Sequence, residues 1–116
     1  MRVERNYFHN NARDGEGYGI VVDGGVYVTI EGNVFDFNRH AVAASGRAHS
    51  GYLARFNYVL EGGFKDNGSY QQHFDVHGRG AGGQYGGPAG EYFEVALNTI
   101  RGEQEYYVVK TRPAFM

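Results

Sequence analysis

The sequence predicts an all-β chain coiled as a short solenoid of about four units, with glycine-rich segments inserted in the third. Three observations carry this. First, the 116 residues include Gly 19, Tyr 10 and Phe 8 but only Pro 2, a balance that favours strands joined by tight turns. Second, no long window places apolar residues at i, i+3, i+4 and i+7, whereas period-2 runs recur at Val26, Val28 and Ile30, at Phe74 and Val76, and at Tyr107 and Val109. The alanine-rich stretch 41–44 is too short for an independent helix. Third, the chain repeats in an asparagine register.

Asn6, Asn33, Asn57 and Asn98 each have a hydrophobic residue two places later: Phe8, Phe35, Val59 and Ile100. Each has a small or aliphatic residue three places earlier: Val3, Ile30, Ala54 and Val95. The anchors are spaced by 27, 24 and 41 residues, which is the range of solenoid repeats. A second short strand follows each anchor: GIVVDG (19–24), AVAASG (41–46), HFDVHG (73–78) and YVVKT (107–111). The long third unit holds the two glycine-rich insertions, near 61–69 and 79–90.

Neither short strand of such a unit can bury its apolar face alone. Coiling the chain so that each strand lies parallel to its counterpart in the next unit builds one continuous core. Asparagines at equivalent turns then stack and hydrogen-bond from unit to unit. Aligning the second strands predicts inward positions at Ile20 and Val22, Val42 and Ala44, Phe74 and Val76, and Tyr107 and Val109. It predicts an outward column of Asp23, Ser45, His77 and Lys110, beside columns of Val21, Ala43, Asp75 and Val108 and of Gly19, Ala41, His73 and Tyr106. Apolar residues in outward columns imply partial cover by a loop or another chain. The segments EGNVFDFN (31–38) and ERNYFHNN (4–11) come nearest to a G-N-x-F-x-x-N repeat, the second with Arg5 in place of the glycine. In this the chain resembles the right-handed parallel β-helix family, the pectate-lyase-like superfold. The resemblance spans essentially the whole chain and is weakest in the third unit. It implies a single β-helix domain over 1–116, itself a natural unit or a fragment of a longer solenoid.

Other features bound the function. The chain has no cysteine, which excludes disulfides and thiolate sites. Eleven Lys and Arg against thirteen Asp and Glu give a formal charge of −2, which argues against a nucleic-acid partner. No apolar run approaches the ~20 residues of a membrane-spanning helix, so no membrane partner is expected. The opening MRVERNYFHNN shows no apolar h-region of a secretory leader.

The sharpest chemical signal is His73-Phe74-Asp75-Val76-His77. In a strand, His73, Asp75 and His77 share one face, with successive Cα atoms about 6.6 Å apart from a rise of 3.3 Å per residue. Two imidazoles and a carboxylate so placed can bind a divalent metal or arrange acid–base chemistry. A polar solvated face satisfying turn amides gives the same pattern, and both readings stand at this point. Asp23 and Lys110 fall in the same outward column. His40 aligns beside Gln72, one unit away. RGAGGQYGGPAG (79–90) is not a phosphate loop, since it lacks the Gly-Lys-Ser/Thr ending. It reads as a loop that brings Tyr85 to the rim. The tyrosines at 52, 58, 70, 85, 92, 106 and 107 exceed the needs of a small core. They suit a sugar or a partner protein equally well as internal stacking.

The resemblance implies polysaccharide as ligand and an extracellular or cell-surface setting. It does not transfer catalytic residues, because HFDVHG is none of the family's catalytic motifs. The first expectation is therefore a carbohydrate-binding or carbohydrate-processing domain. In it His73, Asp75 and His77 form the catalytic or metal centre, and His40, Lys110, Asp23 and Tyr85 bind substrate. If it is an enzyme, a histidine acts as general base with Asp75 orienting it. The second is a non-catalytic module that self-associates as a homo-oligomer, or joins adjoining units of a longer chain, through open end rungs.

Overall fold

A computed structural model of the protein describes residues 1–13, 16–44, 48–62, 72–77, 90–101 and 107–112; of residues 77, 107 and 110–112 it describes the backbone alone. The first unit contributes β1 (Arg2–Glu4), β2 (Tyr7–His9) and β3 (Tyr18–Val22). The second contributes β4 (Tyr27–Glu31), β5 (Val34–Asp36) and β6 (His40–Ala44). The third contributes β7 (Gly51–Arg55), β8 (Tyr58–Val59) and β9 (Gln72–His77), and the fourth β10 (Tyr92–Ala96), β11 (Thr99–Ile100) and β12 (Tyr107–Arg112). No helix occurs among the described residues. The strands assort into three parallel sheets, ordered β1-β4-β7-β10, β2-β5-β8-β11 and β3-β6-β9-β12. Each pass of the chain thus adds one strand to every sheet, as a β-solenoid requires.

The asparagine register is a corner motif. Only two residues separate the first strand of each unit from the second. The leading one is left-handed in every unit: Arg5 at φ 57°, Gly32 at 63°, Phe56 at 56° and Leu97 at 54°. Such a conformation costs a non-glycine residue about 1 kcal/mol or more. The asparagine that follows offsets this by tying units together. Asn33 N and Nδ2 donate to Asn57 Oδ1 at 3.0 and 3.1 Å, and Asn57 N and Nδ2 donate to Asn98 Oδ1 at 3.0 and 2.9 Å. The remaining Nδ2 hydrogen donates to the carbonyl three residues before the preceding anchor: Asn33 to Val3 and Asn57 to Ile30, both at 2.9 Å. A shorter ladder turns the next corner. Asn10 and Phe37 are again left-handed, and Asn11 Nδ2 donates to Asn38 Oδ1 at 2.8 Å. Gly62 bridges Asn38 in the third unit. A Cβ there would lie 2.5 Å from the Asn38 carbonyl oxygen, so this ladder ends where no side chain fits.

The aligned apolar columns fill the interior. Val3, Ile30, Ala54 and Val95 are in register, as are Phe8, Phe35, Val59 and Ile100. The Phe8 and Phe35 rings stack with centroids 5.3 Å apart. Ile30, Phe35, Val42, Ala54, Val59 and Phe74 are fully enclosed, whereas Val3, Phe8, Ile20, Phe93, Val95 and Ile100 of the outer units are partly buried. Full burial of one such side chain contributes about 1.5–3 kcal/mol, so the two middle units hold most of the stability.

One alignment is corrected. Tyr107 and Val109 were expected opposite Phe74 and Val76. The structure sets Val109 opposite Phe74 and Thr111 opposite Val76, with Tyr107 opposite Gln72. Lys110 therefore pairs with Asp75, and Arg112 takes the place beside His77. A slip of two residues preserves strand parity, so hydrophobic alternation alone did not distinguish the registers.

Candidate binding face

The third sheet holds the histidines and the aspartate singled out by sequence, and it does not present them to solvent. Val21, Ala43 and Asp75 form one column. Val21 is 52% exposed, Ala43 4% and Asp75 0%. His73 is 1% exposed and His40 0%. The outward face is open at the first unit and enclosed over the second and third. The expected solvent-facing His73/Asp75 arrangement is thus corrected. The small side chains Ala41 and Ala43, placed outward by alternation, fit a covered face.

His40 does reach Asp75. Its Nδ1 lies 2.5 Å from the Gln72 carbonyl oxygen. A carbonyl only accepts, so Nδ1 carries the proton. Nε2 then faces Asp75 Oδ2 at 3.7 Å. Tyr18 stacks on the imidazole with centroids 5.1 Å apart, and Arg39 Nη1 donates to the Tyr18 hydroxyl at 3.0 Å. The Tyr52 hydroxyl is enclosed too; burial raises its pKa and the Asp75 charge adds to the shift. This group links the first three units, and its His40, Tyr52 and Asp75 members are enclosed and offer no surface to a polymer. Among the described residues no three His, Asp or Glu side chains are grouped to hold a metal ion. The side chains of His77 and Lys110, and all of Tyr85, lie outside the described residues. Asp23 is exposed just beyond β3.

The first sheet presents a different surface. Its outward columns are Tyr27, Gly51 and Tyr92; then Arg2, Thr29, Leu53 and Glu94; then Glu4, Glu31, Arg55 and Ala96. An open cleft of about 330 Å³ runs over this face, lined by Arg2, Tyr27, Thr29, Leu53 and Tyr92 among others. Tyr27 and Tyr92 are 48% and 54% exposed. They stand two strands apart, about 9.6 Å at a strand spacing of 4.8 Å. Gly51, on the strand between them, is buried, and the Tyr92 backbone packs against it. No side chain fits there: a Cβ would fall 2.0 Å from the Tyr92 carbonyl oxygen.

Each tyrosine is oriented by a carboxylate. The Tyr27 hydroxyl donates to Glu91 Oε2, and the Tyr92 hydroxyl donates to Glu94 Oε2 at 2.6 Å. These hydrogen bonds are the leading cause raising the pKa of both phenols, so both stay protonated donors. Glu91 is held below the usual carboxylate range by the Tyr27 hydroxyl, with the His49 backbone N–H adding. Glu31 is lowered chiefly by its hydrogen bond from Arg55, while Arg2 donates to its other oxygen at 3.0 Å. The face therefore carries ionised acceptors, fixed guanidinium donors and two aromatic planes.

Tyr27 and Gly51 were absent from the sequence-derived candidates. The signal was present, because both lie six residues before a ladder asparagine, as Tyr92 does. No protein-family model, curated protein or solved structure matches the chain.

Proposed function

We propose that the chain is a closed, right-handed parallel β-helix that binds a neutral polysaccharide along the outer face of its first sheet. The observation that carries this reading is the open cleft flanked by Tyr27 and Tyr92, with Thr29 and Leu53 among its lining residues. A sugar ring has an apolar C–H face and a rim of hydroxyls. Tyrosine rings accept the first, and the carboxylates and guanidiniums beside them bond the second. The acidic excess of the face, Glu4, Glu31, Glu91 and Glu94 against Arg2 and Arg55, disfavours a polyanionic chain. Binding without cleavage is favoured, because glycoside hydrolysis needs a carboxylic acid kept protonated. Glu31 and Glu91 are pushed the other way.

Affinity electrophoresis in gels containing a soluble neutral glucan, or alternatively polygalacturonate, tests the proposal. Retardation by the glucan is expected, with about tenfold weaker retardation for Tyr27→Ala and Tyr92→Ala. Equal retardation of both variants and the parent, or preference for polygalacturonate, overturns it.

A further inference from the structure

The two ends of the stack are complementary to each other. Along the ladder each asparagine donates its N–H and Nδ2–H to the Oδ1 of the next unit. At the fourth unit, Asn98 Nδ2 donates to the Ala54 carbonyl at 2.9 Å, and no further asparagine follows among the described residues to receive its N–H. At the first unit Asn6 Oδ1 receives no donor among the described residues. Asn6 Nδ2 also departs from the pattern. In later units this group reaches back to the preceding unit's carbonyl; in Asn6 it turns to Glu4 of its own unit at 2.9 Å. One end thus presents donors and the other an acceptor, in the same corner and the same register.

Charge and apolar columns agree with this. The column Arg2, Thr29, Leu53 and Glu94 begins in a cation and ends in an anion. A copy added beyond β10 in continuing register sets its Arg2 over Glu94. Val3 then lies over Val95, Phe8 over Ile100 and Ile20 over Val109. Val3, Phe8, Ile20, Val95 and Ile100 are the partly buried members of columns whose middle members are enclosed, and Val109 is 42% exposed. Among the described residues the strand edges β1, β2 and β3 at one end and β10, β11 and β12 at the other each have one neighbour, and parallel pairing can extend all three sheets at once.

From this we infer that the occupant of each end is a second copy of this chain, stacked head to tail so that Asn98 of one copy donates to Asn6 of the next. The contact is heterologous, so repetition builds an open filament rather than a closed dimer. The inference does not rest on the carbohydrate reading.

Sedimentation velocity of the 116-residue chain over a concentration series tests it. Average mass should rise past the dimer without a plateau. Arg2→Glu and Glu94→Arg should each weaken association about fivefold, the scale of one exposed ion pair. Combined in one chain, they should restore it. Asn6→Ala should weaken association with its thermal melt nearly unchanged, since Asn33 Oδ1 keeps the Asn6 N–H. Far-UV circular dichroism of every variant shows whether it is folded. A parent chain that is monomeric throughout, a dimer that plateaus, or a double charge swap as weak as either single change overturns the inference.

Discussion

Replacing Asn57 by alanine removes four hydrogen bonds made through one carboxamide: two received from Asn33, one given to Asn98 and one given to the Ile30 carbonyl. Asn33 and Asn57 are both buried, so water does not replace the lost partners. The Asn33 backbone N–H and the Ile30 carbonyl each lose the carboxamide partner they have in the ladder. A buried backbone group left in this way costs about 1–3 kcal/mol, so the substitution should cost about 4 kcal/mol. That is a large share of a domain stability of about 5–15 kcal/mol. Asn6→Ala provides the contrast. It removes bonds from Nδ2 to Asn33 Oδ1 and to Glu4, both involving an exposed residue, and Asn33 Oδ1 retains the Asn6 N–H. Its cost should be about 1 kcal/mol or less. Urea unfolding followed by far-UV circular dichroism measures both. With a slope of about 2 kcal/mol per molar, the Asn57 variant should lose roughly 2 M from its midpoint and the Asn6 variant less than roughly 0.5 M. Equal losses would refute the reasoning, because they would mean that the ladder's strength does not depend on its burial.

Two glycines should fail for different reasons. Gly51→Ala forces a Cβ against the Tyr92 backbone and should cost about 3 kcal/mol while weakening glucan retardation. Gly32→Ala meets nothing within 4 Å and should cost about 1 kcal/mol, from its φ of 63° alone; urea midpoints measure both. Glu31 titrates below its ordinary value when folded, so its contribution is present above that ordinary value and is lost as pH falls through the folded one. Urea midpoints measured downward from pH 6 should therefore fall less steeply in Glu31→Gln than in the parent, and identical slopes would contradict the assignment. His40→Ala removes a fully enclosed ring together with its hydrogen bond to the Gln72 carbonyl and its stack on Tyr18, and should cost about 3 kcal/mol by thermal melt. Arg55→Ala, at a half-exposed pair with Glu31, should cost under about 1 kcal/mol.

The asparagine spacing was legible because it repeats a local geometry. A two-residue corner with one left-handed residue needs a side chain that can both donate and accept along the stack, and asparagine meets that need in all four units. The columns at Val3 and Phe8 followed from the same anchors. The third sheet was less legible. The fourth-unit register shifted by two residues, because inward alternation is satisfied equally before and after such a slip. His73 and Asp75 were expected in solvent because polar alternation usually marks a wet face; here His40 approaches Asp75 from the neighbouring unit and both are enclosed.

By itself the sequence determined the strand content, the repeat of the units and the columns anchored on the asparagines, since these depend on spacing along the chain. Tertiary structure decided which columns meet solvent. Burial depends on what lies across a face, and neither period nor residue type records that. The same rule separates the two candidate faces. Tyr27 and Tyr92, 65 residues apart in sequence, flank one cleft only because two repeats bring them onto strands of one sheet. The His73 and Asp75 pair, only two residues apart in sequence, was removed from reach by the packing of its surroundings.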